Sequence, residues 1–429
     1  MAKPSVLKNR DFRNLFYGQT ISQLGDSVYF LVFLFMADHV SKDPMVVGLV
    51  GALQALPFVF FGPIAGVVAD RVDRRKIMLF ADIASAALTG LLAIYAWFSP
   101  SPAVWVLCVS AFCLSLINSF FMPARSASIP RLVAKDQVME ATGLAVSVQQ
   151  LMGMIGLAIS ASVLGVIYSI APEYFFFSAA IVNSLTFGVS AIFIARLPGI
   201  VPDRARAITE KSKSIVANFR QSLSEFWSEL ASGVRVMRGD PVIRVALPIN
   251  MVSNLCVSGF MVIYLALNRD WYGGSFTTLA WMEFSFMAAM MVLSLAVSRS
   301  SISRPGLAFA LGTVALGLFL GLMSISRPYW AMILMNILCG MALPFVIVPL
   351  NAYLQLAIDD SVRGRVNSAW GMVTMAMQPL GIAIVGPLLV WLGISGVFVA
   401  MGVGIILGGL YGLVNRTFTS VRVPTGEST

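Results

Sequence analysis

Asp26 stands in the middle of an apolar run from Leu15 to Ala37, with Gln19, Gln23 and Phe30 around it. At 100° per residue these four fall within about 60° of one helical face. Asp26 then lies about 17 Å into that helix at 1.5 Å per residue, near the midplane of a bilayer. An ionisable side chain at that depth costs about 2.5 kcal/mol or more, so it is read as functional. Its carboxyl is expected to bind and release a proton, and the glutamines beside it to line a substrate cavity. Glu283, roughly 10 Å into a later apolar run, is a second expected proton-coupling residue. Asn250, Asn254, Met261 and Tyr264 form a stripe in the second half comparable to the Asp26 face and complete the expected substrate cavity. Asp82 is expected to pair with Arg125 or with an arginine of the loop before it.

No element of enzymatic chemistry accompanies these residues. The chain has no GxxxxGK phosphate loop and no GxSxG elbow, and its single histidine, His39, leaves no Ser/His/Asp triad. Cys108, Cys113, Cys256 and Cys339 sit in apolar runs without CxxC spacing. The chain is therefore read as no enzyme, with no catalytic residue, no metal and no cofactor. Without an ATP motif, work done on a substrate must draw on an ion or substrate gradient.

The elements that position these residues follow from composition. Of 429 residues, 58% are hydrophobic and 11% charged, against about 25% charged in a soluble domain. So little charge cannot cover a protein of this size, and the outer surface must face lipid. Twelve apolar runs are long enough to span a bilayer as helices: 15–37, 45–68, 77–97, 103–122, 142–168 and 175–195, then 242–267, 276–298, 306–324, 330–352, 366–391 and 395–414. The first is too long for a signal-peptide core, carries Asp26 and lacks a cleavage pattern, so it is read as helix 1. Of the 29 Lys and Arg, only Lys42, Arg269 and Arg327 fall outside once the N-terminus is placed inside. This split predicts an inner-membrane protein with both termini cytoplasmic, and it accounts for the net charge of +9 without nucleic acid.

The expected organisation is an all-α membrane protein: a six-helix bundle over 1–196, a cytoplasmic linker over 197–241, a second six-helix bundle over 242–415 and a tail over 416–429. Within the linker Val216, Phe219, Leu223, Phe226, Trp227, Leu230, Val234 and Met237 recur every three or four residues. That spacing predicts an amphipathic helix on the inner membrane surface, tethering the bundles.

The stretch GVVADRVDRRK, from Gly66 to Lys76, resembles the signature loop of the major facilitator superfamily. Gly66, Asp70, Arg71, Arg74 and Arg75 fit its pattern, while Asp73 stands where the family usually has glycine. With six plus six helices and a central linker, the resemblance implies the major facilitator fold and a bacterial secondary transporter working by alternating access. Asp70, at the end of helix 2, is expected to meet the positive end of another helix. The arginines are expected to pair with carboxylates such as Asp136 or Glu140, so that the loop latches one access state. The corresponding loop of the second half, AVSRSSISRPG, has no carboxylate.

GQTISQLGDSVY, PARSASIPRLVAKDQVMEATGL, PLNAYLQLAIDDSVRGRVNSAW and QPLG resemble the macrolide-efflux and enterobactin-exporter branch of that family. The branch implies export of an amphipathic or apolar, drug-like compound of the macrolide type, coupled to protons as an antiporter, by a monomer in a lipid bilayer. PLNAYLQ also resembles bacterial lysophospholipid transporters, so a lysophospholipid or siderophore substrate stands as the alternative. A receptor or assembly factor that kept the fold without the transport cycle is the alternative outside transport.

Overall fold

The computed structural model describes residues 6–134, 137–201, 227–228, 231–298, 304–356, 358 and 360–421, and among these no strand occurs. Six helices fill the first part: α1 (Arg10–Ser41), α2 (Pro44–Ala69), α3 (Arg74–Phe98), α4 (Val104–Leu132), α5 (Val138–Ile159) and α6 (Phe175–Ala195). α5 runs on through a π-helical stretch, Ser160–Leu164, into a last turn, Gly165–Ile170. The second part holds α7 (Pro241–Ser258), α8 (Phe260–Tyr272), α9 (Phe276–Ser298), α10 (Pro305–Met323), α11 (Tyr329–Leu356), α12 (Asp360–Val414) and the short α13 (Arg416–Ser420).

Two departures from one helix per apolar run have local causes. The run expected over 242–267 is split into α7 and α8 at Gly259, where any Cβ would overlap the side chain of Val385 on α12. The last two runs are joined in the 55-residue α12, whose backbone breaks at Gly393 with φ 65° and ψ 175°. That is a conformation glycine adopts without steric cost, and it falls between the two runs read from the sequence.

The chain divides into two compact units. Unit 1 comprises Met1–Lys42 and Leu53–Glu225, and unit 2 comprises Asp43–Ala52 and Phe226–Thr429. Assignment of 43–52 to unit 2 departs from the expected boundary. At these first turns of α2, Gly48 stands over the Ile382 carbonyl and Gly386 over Met45, with no side chain to hold the backbones apart.

In unit 1, α1 packs on α5 and α6, and α3 packs on α4 and α6. In unit 2, α7 packs on α12, and α10 packs on α11 and α12. Each bundle turns large apolar side chains outward, among them Phe60, Phe80 and Leu185 in unit 1 and Val292, Leu311 and Val390 in unit 2. Trp97, Trp105, Trp330 and Trp391, near helix ends or the Gly393 break, are also exposed, as in the aromatic belts of membrane proteins.

Of the expected amphipathic linker, 202–226 and 229–230 lie outside the described residues. The part that is described corrects the expectation of a helix lying on the membrane. Residues 231–239 are helical, Met237 is buried in an apolar cluster with Val242, Ile243 and Val366, and Val234 packs against that cluster. Arg365 Nη1 donates to Ser232 Oγ at 3.0 Å. Val234 and Met237 are thus covered by unit 2 itself, while Trp227 is exposed.

Candidate functional site

α1, α4 and α5 leave between them a cavity open to solvent, with an empty volume of ≈ 380 Å³ that includes part of its mouth. Phe12, Leu15, Phe16, Gln19, Thr20 and Gln23 line it from α1, Arg125 and Ile129 from α4, and Ala145, Val148 and Gln149 from α5. Both glutamines singled out on helix 1 lie here. Phe30 does not line the cavity and is exposed. Arg125 is buried, and its Nη1 donates to Gln149 Oε1 at 3.3 Å, with Met122 Sδ at 3.9 Å. Read along the sequence, Arg125 is one basic residue near a loop. Its position inside a long helix that carries Pro123 and Pro130 was the available signal.

Asp26 turns away from this cavity. Its carboxyl meets the Asn183 side chain on α6, and Asp82 on α3 lies in the same interior beside Ser190 and within electrostatic reach of Asp26. The close approach of α1 to α6 depends on Gly25, where a Cβ would overlap Thr186 Oγ1. Asp26 borders this small-residue face of Gly18, Ser22 and Gly25, so packing draws it toward α6 and separates it from Gln19 and Gln23 on the stripe read as one surface. The expected pairing of Asp82 with Arg125 is absent. Asp82 is buried, its Oδ2 has no hydrogen-bond partner, and Arg125 turns to Gln149 instead. Asp82, Asn183 and Ser190 join the candidate site only through tertiary packing.

The 66–76 loop is tied mainly to its own unit's backbone. Arg74, buried, donates from Nε to Ala69 O at 3.0 Å and from Nη1 to Ala127 O on α4 at 2.7 Å. Its Nη2 pairs with Asp70 Oδ1 at 3.4 Å. Arg75 donates to the carbonyl of Ala195 at the end of α6. Asp73 caps α3: its Oδ1 accepts from Arg75 N at 3.1 Å and from Ile200 N at 2.9 Å. Arg74 and Arg75 therefore reach carbonyls where carboxylates of other loops were expected. A guanidinium offers five donors, more than one carboxylate can use. Asp70 meets an arginine one turn away in place of a helix end. Asp136 lies outside the described residues. A Cβ on Gly66 would meet nothing within 4 Å, and Arg71 is half-buried.

In unit 2 the expected stripe is divided by the break at Gly259. Asn250 and Asn254 on α7 satisfy each other, Asn254 Nδ2 donating to Asn250 O at 2.9 Å and Oδ1 at 2.8 Å. Beyond the break, on α8, Met261 is half-buried, while Tyr264 is fully buried with its hydroxyl unpartnered. Tyr264 lies within electrostatic reach of Glu283 on α9 and Cys339 on α11. Asn336 on α11 is also buried, with both polar atoms of its amide unpartnered. Tyr264 thus belongs to an interior polar group and not to an open cavity wall.

The family model of the Major Facilitator Superfamily matches residues 15–299. The chain belongs to the Major Facilitator Superfamily. It is 22% identical over 376 residues to macrolide efflux protein A of Streptococcus pyogenes, covering 87% of this chain and 88% of that protein. It is 25% identical over 433 residues to an MFS-type transporter, YfiS, of Bacillus subtilis, covering 98% and 97%. The fold is also that of solved structures of a POT family transporter in complex with a thioalcohol conjugated peptide (TM-score 0.68, 14% identity, 96% and 97% covered) and of the nucleoside transporter NupG (TM-score 0.65, 12% identity, 94% and 99% covered). This Major Facilitator chain is a multi-pass membrane transporter.

Proposed function

We propose that this transporter exports an amphipathic, drug-like small molecule of the macrolide type by alternating access, in antiport with protons. The observation that carries the reading is the acidic pair between the helices, half-buried Asp26 and buried Asp82. Asp26 and Asp82 share one helix interior with Asn183 and Ser190, and neither forms an ion pair. A carboxyl without a fixed cation can change between charged and neutral forms as each access state opens it to water. That is the chemistry a gradient-driven carrier needs. The likeness to macrolide efflux protein A supports the direction and the solute class. The cavity with Gln19 and Gln23 would receive solute, with Asn250, Asn254 and Met261 as its counterparts in unit 2. Glu283, beside the unpartnered Tyr264 hydroxyl, would be a second protonation site. The Asp70–Arg74 loop would steady one access state, in a monomer placed in a bacterial inner membrane with both ends cytoplasmic, as the charge split argues. The test is efflux of a radiolabelled macrolide from vesicles under an imposed pH gradient. Uphill movement that collapses with a protonophore supports the reading, and movement indifferent to the gradient overturns the antiport.

A further inference from the structure

We propose that the cavity at Arg125 is an oxyanion site, taking the carboxylate or phosphate group of an amphipathic solute. This rests on the export reading but narrows its solute to an anionic amphipath, since a macrolide's protonated amino sugar would be disfavoured beside Arg125. Among the described residues lining the cavity the one formal charge is a cation whose donors are not all used. Arg125 has no acceptor at all; its Nη1 is engaged by Gln149, while its Nε and Nη2 make no hydrogen bond. The Gln149 carbonyl accepts in that same contact, while its amide hydrogens make no hydrogen bond among the described residues. Gln19 Nε2 is buried without a partner. Thr20 has already spent its hydroxyl proton on Phe16 O, at 2.8 Å.

Among the described residues lining the cavity there is no carboxylate to balance the guanidinium charge. A buried cation with a free fork of donors suits a planar or tetrahedral oxyanion, which can accept two parallel hydrogen bonds. It repels an ammonium group. Phe12, Leu15, Phe16 and Ile129 supply apolar wall for the hydrocarbon part of the same solute. Had Arg125 served only to join α4 to α5 through Gln149, the buried amide of Gln19 would have no reason to stand unpaired on the opposite wall.

The test uses the full chain in phosphatidylcholine nanodiscs, with 1-pyrenebutyrate as probe and 1-pyrenebutanol as its neutral counterpart. The wild type should bind the carboxylate about tenfold tighter or more, as expected for a charge-assisted, forked contact. Arg125→Gln should remove that preference while leaving the alcohol's affinity unchanged. Arg125→Lys, which keeps the charge but not the fork, should fall between. Gln19→Leu should weaken the carboxylate alone, and it carries the test if Arg125→Gln does not fold. Equal affinities in the wild type, no saturable binding of the carboxylate, or an undiminished preference in Arg125→Gln overturns the proposal. Adding phosphatidylglycerol separates the sources: displacement of the probe identifies a lipid headgroup as the natural oxyanion, and no displacement identifies a free solute. If the export reading alone is wrong, a pH gradient moves neither pyrene compound in vesicles while the carboxylate preference in binding persists.

Discussion

In unit 1, α1 begins at Asn9, whose Oδ1 accepts from Asp11 N and Phe12 N while its Nδ2 donates to Leu132 O at the end of α4. In unit 2, α7 begins at Asp240, whose Oδ1 accepts from Val242 N and Ile243 N while its Oδ2 accepts from the Tyr353 hydroxyl on α11. Three residues before each cap a side chain is buried, Val6 in one unit and Met237 in the other. Three residues after it stands another, Phe12 or Ile243, followed by Arg13 or Arg244. The same device therefore starts both bundles and ties the first helix to the fourth membrane-spanning run of its unit.

What these starts lead into differs. Unit 1 encloses Asp26, Asp82 and Arg125 and fastens its 66–76 loop with charged side chains. In unit 2, the ring of Phe418 on α13 is buried against Phe309 while its backbone carbonyl stands where a Cβ on Gly306 would be, so a plug with an apolar ring closes the bundle near the start of α10. The repeat preserved its scaffold, and the buried charge is concentrated in one copy.

The largest effect that could break this comparison is on coupling. Asp26→Asn should lower pH-driven efflux by roughly a hundredfold or more, the scale of losing an essential proton-transfer group, while Glu283→Gln retains most of it. The reverse ranking, measured in vesicles, would move coupling to unit 2. Next comes the plug. Phe418→Ala should cost about 3–5 kcal/mol, the range for emptying a buried aromatic site, read as a lowered melting temperature in detergent; a shift within error would mean that the plug is not part of the folded bundle. Asn9→Ala and Asp240→Ala should each cost about 1 kcal/mol, as for a lost N-cap, with Asp240→Ala the more damaging because the Tyr353 hydroxyl loses a charged acceptor whereas the Leu132 carbonyl loses a neutral donor. Equal values would remove that asymmetry. The smallest effect is expected for Asp70→Asn, whose half-exposed pairing with Arg74 is worth under about 1 kcal/mol. A fall in transport rate with unchanged melting would then report a latch, and no fall would reduce Asp70 to a surface charge.

Much of the fold was legible because bilayer spanning imposes a minimum apolar length, and that length is a property of consecutive residues. The Gly393 break fell between two runs for the same reason. The candidate site was legible in part. Gln19 and Gln23 share the cavity because they are about one turn apart on a helix. Asp26, on the same stripe, was drawn to α6 by Gly25, and Tyr264 was buried because Gly259 breaks its helix away from Asn250 and Asn254. Arg125 carried little local mark beyond Pro123 and Pro130 beside it, since its importance depends on Gln149 and Gln19, residues of two other helices. The amphipathic period ending at Met237 did not say what covers Val234 and Met237, because a face that fits a membrane also fits the side of a bundle.

The sequence by itself therefore determined the membrane class, the spans, the family and the types of group available to bind a solute or a proton. These follow from composition, run length and short motifs. Tertiary structure alone decided which polar groups meet: the acidic pair with Asn183, Arg125 with the amides, and Arg74 with backbone carbonyls in place of distant carboxylates. In a chain whose interior and exterior are both apolar, hydrophobic pattern does not say which side of a helix faces protein. Close approach at glycine and the need of each buried donor for an acceptor settle that, and both are known only once the helices are placed side by side.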